Sequence, residues 1–127
     1  MSRPLALGEK PLYWVGSSKR DLMAFPEVVR DDIGAALGVA QFGGRHPSVK
    51  PLKGLGAGIL EVVGDAAEGT FRAVYTVRFP RAIYVLHAFQ KKSTSGIATS
   101  KRDIALTERR LKDAQEDYKE RYGAATQ

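Results

Sequence analysis

The period of apolar positions changes several times along the chain, and each change marks an element. Leu12-Tyr-Trp-Val15 is a short aromatic and β-branched run that predicts a strand. Ser17 or Ser18 can then cap a helix through its hydroxyl, and Pro26 keeps that helix short, since proline lacks an N–H and disfavours helix at Phe25. Pro26 is well placed to open a second helix. There Val29, Ile33, Ala36, Leu37 and Ala40 share one face, and Gly43-Gly44 stops it. The two form an αα-hairpin whose apolar face needs a sheet. Arg45 to Gly58, rich in Gly and Pro, reads as a loop.

Three strands follow, Ile59–Val63, Thr70–Arg78 and Ala82–Gln90, with turns at Gly64–Gly69 and Pro80-Arg81. In the second, Phe71, Ala73, Tyr75 and Val77 alternate toward a core while Arg72, Thr76 and Arg78 take the other face. The third is nearly all apolar, as a central strand should be. Ser100 and Asp103 begin a last helix with a capping-box-like pattern, and Ile104, Leu111, Ala114 and Tyr118 make its stripe. The order is β-α-α-β-β-β-α. The expected fold class is α+β: a small antiparallel meander with an N-terminal αα-hairpin and a C-terminal helix, one domain over residues 1–127, with residues 1–10 as a flexible arm.

Composition narrows the function. At 127 residues and 43% hydrophobic content, the chain suits one compact core. No apolar run approaches the roughly 18 residues that span a bilayer, and the start lacks a secretory pattern, so the expectation is a soluble cytoplasmic protein. Cysteine is absent and there are two histidines, which leaves no disulfide framework and little basis for a structural zinc site. No cofactor is expected. The net charge of +6 is unevenly spread: residues 45–92 carry eight cations against Glu61, Asp65 and Glu68. Such a local excess concentrates a polyanion at the surface. Gly54-Leu-Gly-Ala-Gly58 is followed by a strand rather than a helix, so it is not a dinucleotide site.

Three motifs in order carry a resemblance. They are Pro51-Leu-Lys-Gly-Leu-Gly56 with Gly58 and Glu61, Phe71-Arg-Ala-Val-Tyr75, and Val85-Leu-His-Ala-Phe-Gln-Lys-Lys92; Ile104, Ala105 and Arg110 fit as well. Over roughly residues 11–118 the chain resembles the RelE/ParE toxin superfamily, in particular its phage-related HigB-like branch. The resemblance implies a toxin of a two-gene toxin–antitoxin module. RelE and HigB types cleave messenger RNA on the translating ribosome, whereas ParE types share the fold and poison DNA gyrase. It also implies, as partners, the ribosome with its mRNA and a cognate helix-turn-helix antitoxin. An arginine in the motif aromatic-Arg-x-x-Tyr contributes to catalysis in RelE-type toxins, and here it is Arg72; a basic residue after the last strand maps to Lys91 or Lys92. RelE proper carries lysines where this chain has Glu61 and Val63, so its catalytic set does not transfer whole; a glutamate at the first of these suits the HigB-like branch.

Metal-independent RNA cleavage needs a group to take the 2′-hydroxyl proton, a charge on the pentacovalent phosphate and a proton for the leaving oxygen. Arg72 is the expected phosphate clamp, because a guanidinium binds two phosphate oxygens at once; the alternative is a sheet-surface arginine paired with Glu61. Lys91 and Lys92 alternate faces, so one of them enters the site. His87 titrates near neutrality and is a candidate for proton transfer, although its strand face, shared with Val85 and Phe89, also suits a packed core. Glu61 is a candidate base. Lys53, Lys50, His46, Phe89 and Arg78 complete the set expected to touch RNA, Phe89 by stacking. The expectation is one shallow electropositive hollow shared by Arg72, Lys53 and the Lys91–Lys92 pair. The rivals are a gyrase-binding toxin and an inactive phage-derived binding module.

Overall fold

The computed structural model describes residues 3–91 and 99–123. The elements are β1 (Leu12–Trp14), α1 (Ser18–Met23), α2 (Glu27–Gln41), β2 (Val49–Pro51), β3 (Ile59–Ala66), β4 (Gly69–Thr76), β5 (Ile83–Gln90) and α3 (Lys101–Tyr122). The strands form one sheet in the order β1-β5-β4-β3-β2. β3, β4 and β5 make the expected antiparallel meander. Two features correct the sequence reading. A short strand, β2, lies inside the stretch read as loop and pairs antiparallel with β3. β1 pairs with β5 in parallel, so the sheet is mixed, within the expected α+β class.

The hairpin of α1 and α2 covers one face of the sheet. Val29, Ile33, Ala36, Leu37 and Ala40 are all buried, as their spacing predicts, against Val62, Phe71, Ala73, Tyr75 and Val85. α2 lies close enough to β3 that a Cβ on Gly64 would sit 3.0 Å from Val29 Cγ1. A glycine there therefore continues the strand instead of ending it, and β3 runs on to Ala66 before a tight return at Gly69. Ser17 and Ser18 mark the start of α1, but neither caps it through its side chain. The Ser17 hydroxyl donates to Asp21 (2.7 Å) and the buried Ser18 hydroxyl to the Val85 carbonyl (3.1 Å), which ties α1 to β5.

The other face is not open to solvent. α3 lies across it, with Leu111, Ala114 and Tyr118 packed on Ile59, Val74, Tyr84 and Leu86. Ser100 caps α3 as expected, its Oγ accepting the Asp103 N–H at 3.1 Å. This second layer changes the standing of the polar residues on that face. Arg72 and Thr76 are buried at 4% and 0% exposure, where the sequence suggested a sheet surface.

A β-bulge then alters the face of β5. Val74 pairs with His87 and Tyr75 with Val85, so Leu86 is the extra residue. The insertion breaks the alternation between Val85 and His87: Val85 packs on the α2 side, and His87 turns to the α3 side with Phe89. The sequence reading placed all three on one face, and the bulge is the physical reason they part. The freed Leu86 carbonyl accepts from Arg110 Nη1 at 3.0 Å, and Arg110 Nη2 reaches Ser17 Oγ at 3.1 Å.

Candidate active site

On the α3 side, where β4 and β5 run past the first turn of α3, lies a hollow of about 700 Å3. Arg72, His87, Phe89, Lys91, Arg102 and Asp103 are among its walls. Three cations thus face one carboxylate across a partly apolar floor. Lys91 follows β5 directly, its N–H still bonded to the Thr70 carbonyl at 2.8 Å, so a strand end delivers the ammonium to the rim. Burial pushes the Lys91 ammonium below its usual range, Arg72 and Lys50 add to the effect, and Glu61 opposes it.

Arg72 is held rather than loose. Its Nη1 donates to both Glu61 oxygens, at 3.2 and 3.1 Å, and to Thr99 Oγ1 at 3.2 Å. Thr99 in turn donates to Glu61 Oε2 at 3.1 Å. Glu61 is 4% exposed, and Lys50 Nζ approaches it to 3.9 Å from the sheet edge. The arginine is therefore both in the hollow and paired with Glu61. The sequence posed these as alternatives, and the structure contains both. A guanidinium fixed by a buried carboxylate is preorganised, which is what stabilising a developing charge requires.

His87 lies deeper. Its Nε2 is 2.8 Å from Asp103 Oδ1, and its ring stacks on Phe89 with centroids 4.4 Å apart. Asp103 Oδ2 accepts from Ser100 Oγ at 2.7 Å, so both carboxylate oxygens are engaged. Two influences on the imidazole disagree. The bond to Asp103 favours the charged ring, but burial opposes it more strongly and Arg110 adds to burial, so the His87 pKa is lowered.

The sign for stability follows. A ring that binds fewer protons folded than unfolded contributes stability that is fully present above its unfolded value near 6.5 and is lost as pH falls through the folded value. Thermal unfolding should therefore show Tm falling between pH 7.5 and 5 in the parent chain. His87→Gln should reduce that slope; an unchanged slope would mean that His87 is already charged in the fold.

The remaining expected residues are dispersed. Leu52 N–H bonds the Ile59 carbonyl, which places exposed Lys53 at the Gly58 end of β3. That is roughly 17 Å along the strand from Val63, the residue opposite Arg72, so Lys53 does not line the hollow. Arg78 is at the same far end, donating to the Leu55 carbonyl (2.8 Å) and twice to that of Ala57, and so pinning the glycine-rich loop. His46 bonds Ser48 within its own exposed loop, at 2.8 Å. Lys50 does not line the hollow; its Nζ approaches Glu61 at 3.9 Å. Lys92 lies outside the described residues. Conversely, Thr99, Arg102 and Asp103 line the hollow without having been singled out for it. Asp103 was legible only as a helix cap. Among the described residues no group of three or more His, Cys, Asp or Glu could hold a metal ion, and no helix is long and apolar enough to cross a membrane.

The family model for phage-derived Gp49-like proteins matches residues 20–112. A mutant of E. coli toxin RelE in the free state superposes with a TM-score of 0.55 at 12% identity, over 83% of this chain and 97% of that one. The isolated E. coli RelE toxin gives 0.51 at 14% identity, over 79% and 97%. The RelBE2 toxin–antitoxin complex from Mycobacterium tuberculosis is 22% identical over 69% of this chain and 98% of that one, with a TM-score of 0.40. No curated protein matches the chain in sequence.

Proposed function

This chain belongs to the Gp49-like family of phage-derived proteins and has the RelE fold, and from that premise we propose that it is the toxin of a toxin–antitoxin module, a metal-independent endoribonuclease that cleaves mRNA on the ribosome. The observation that carries the reading is the meeting of Arg72, Lys91 and His87, drawn from two strands and the end of one, around a single hollow. Arg72 acts as the phosphate clamp. Lys91, with its lowered pKa, is suited to protonating the leaving 5′-oxygen. Arg102 on the rim adds charge for the RNA backbone, and Phe89 offers an aromatic surface for a base.

Glu61 beside the clamp fits a HigB-like rather than a RelE-like arrangement, because a carboxylate stands where RelE proper has a lysine. In this reading its task is to hold Arg72. The partners are the ribosome with bound mRNA and a helix-turn-helix antitoxin that covers the toxin until needed. One feature favours a second reading, a ParE-like toxin of gyrase without enzymatic activity: the Arg72 charge is largely offset by Glu61 at 3.1 Å. Induction in growing cells separates the two. Incorporation of labelled methionine should stop first, with thymidine incorporation persisting. Early loss of thymidine incorporation with DNA damage would replace the ribonuclease reading by the gyrase one, and harmless induction of folded protein would remove both.

A further inference from the structure

The two edges of the sheet differ. β2, at one end, is Val49-Lys-Pro51, and lysine and proline both discourage further pairing. β1, at the other end, is Leu12-Tyr-Trp14 and has neither. Its register shows which backbone groups stay open. The Pro11 carbonyl accepts from Ile83 N–H, and Val15 N–H donates to the Val85 carbonyl, each at 3.0 Å. Residues of a ladder pair alternately, so Pro11, Tyr13 and Val15 bond β5. The N–H and C=O groups of Leu12 and Trp14 point the other way, along the free edge.

A groove flanks this edge on each face of the sheet, and Leu12 and Trp14 border both. On the α2 side the groove measures about 390 Å3 and is walled by Leu22, Met23 and Leu37, with Met23 itself 49% exposed. On the α3 side it measures about 410 Å3, and its walls include Tyr84, Asp113, Asp117 and Arg121. Successive side chains of an added strand point to opposite faces, so one set enters the apolar groove and the other the acidic one. Charge selects the occupant. Glu27 and Asp31 outnumber Arg30 around the first groove. At the second, Arg121 is already committed, its Nε to Asp117 Oδ2 at 2.7 Å and its guanidinium over the Tyr13 ring at 3.9 Å. Asp113 is exposed and makes no hydrogen bond or ion pair among the described residues. Burial would raise the Asp117 carboxyl, but bonds from Tyr84 and Arg121 hold it below its usual range. The edge is thus locally negative on a chain of net charge +6, which disfavours phosphate and suits basic side chains.

We propose that the β1 edge is a docking site for an extended segment of a partner protein, with apolar and basic side chains in alternation, that adds to the sheet as a further strand. Its backbone bonds Leu12 and Trp14. Its apolar side chains fill the groove beside Met23, and its basic ones meet Asp113 and Asp117. The site is separate from the hollow. β1 pairs with Ile83–Val85 at the start of β5, whereas the hollow is built at the end of that strand, and none of the described residues lining either groove lines the hollow. Docking here leaves Arg72 and Lys91 uncovered.

Trp14 is the only tryptophan, so its fluorescence reports on the edge directly. The probe is a short synthetic peptide of alternating valine and lysine, which should shift Trp14 emission of the full-length chain saturably. Two isomers separate strand pairing from loose adhesion, one N-methylated at every valine and the other at every lysine. Only one set of amides can face Leu12 and Trp14. One isomer should therefore bind like the unmethylated peptide and the other about tenfold more weakly or worse. Asp113→Lys, at an exposed position with no bond to lose, should weaken the unmethylated peptide, and a valine–glutamate peptide should leave the unaltered chain unshifted. Equal affinity of the two isomers, no shift with the valine–lysine peptide, an affinity indifferent to Asp113→Lys, or the same shift with single-stranded RNA would each overturn the proposal. So would dimers in sedimentation whose formation shifts Trp14 emission without peptide, since the edge would then belong to a second copy of the chain.

Discussion

An Arg72→Ala variant is expected to lose growth arrest altogether on induction and to be about 3–5 kcal/mol less stable than the parent. Both effects have one origin. Arg72 stands between the hollow and the buried Glu61 carboxylate, and its Nη1 donates to both carboxylate oxygens. Removing the guanidinium deletes the phosphate clamp and strands a charge that is 4% exposed, with Lys50 Nζ still 3.9 Å away. The two consequences can be separated. Adding Glu61→Gln to the Arg72→Ala chain removes the stranded charge, so urea denaturation should show much of the stability restored while cleavage stays absent. Activity that returned along with stability would reduce Arg72 to a structural partner of Glu61.

Lys91→Ala should be the second large change, and of a different kind. Lys91 is at the rim of the hollow and not in the core, so Tm should hardly move. Cleavage should fall roughly 100- to 1000-fold, the scale seen when one preorganised donor is taken from a developing charge. The dependence of ribosome binding on salt should also flatten, by about one unit of slope, because one fewer counterion is released. If Lys91→Ala left both the rate and the slope alone, the strand end would be a solvated terminus, and the leaving oxygen would need another acid.

Local patterns made much of this molecule legible. The α2 stripe from Val29 to Ala40 could be read because one helix face repeats every 3.6 residues, and the β3–β4–β5 meander because short turns force antiparallel neighbours. The parts that stayed hidden depend on contacts distant in sequence. β2 is three residues whose strand character comes from pairing with β3, since Val49-Lys-Pro51 has no alternation of its own. The parallel pairing of β1 with β5 joins residues some seventy positions apart. The burial of Arg72 goes with partners distant in sequence, Glu61 and Thr99, on a face that the strand pattern marks as polar.

The site divides along the same line. Arg72, His87, Phe89 and Lys91 lie at one end of β4 and β5, so reading them from strand ends brought them close together. Lys53 and Arg78 are equally basic and lie near the same strands, but the direction of β3 carries them to its far end. Charge composition cannot distinguish the two ends. The bulge at Leu86 is invisible in an apolar run where either face accepts a leucine, yet it decides which way His87 points. Asp103 already had a complete explanation as the partner of Ser100, which hid its contact with His87, sixteen residues away in sequence.

The central claim is that this hollow cuts ribosome-bound mRNA, and mapping RNA ends tests it most directly. Purified protein would be added to ribosomes stalled on a defined message, and the new 5′ ends located by primer extension. The account predicts cleavage within the codon in the decoding site by the parent chain, none on the same message without ribosomes, and none by folded Arg72→Ala/Glu61→Gln protein. An intact message with the folded parent chain bound, or equal cutting by the Arg72 variant, would contradict it.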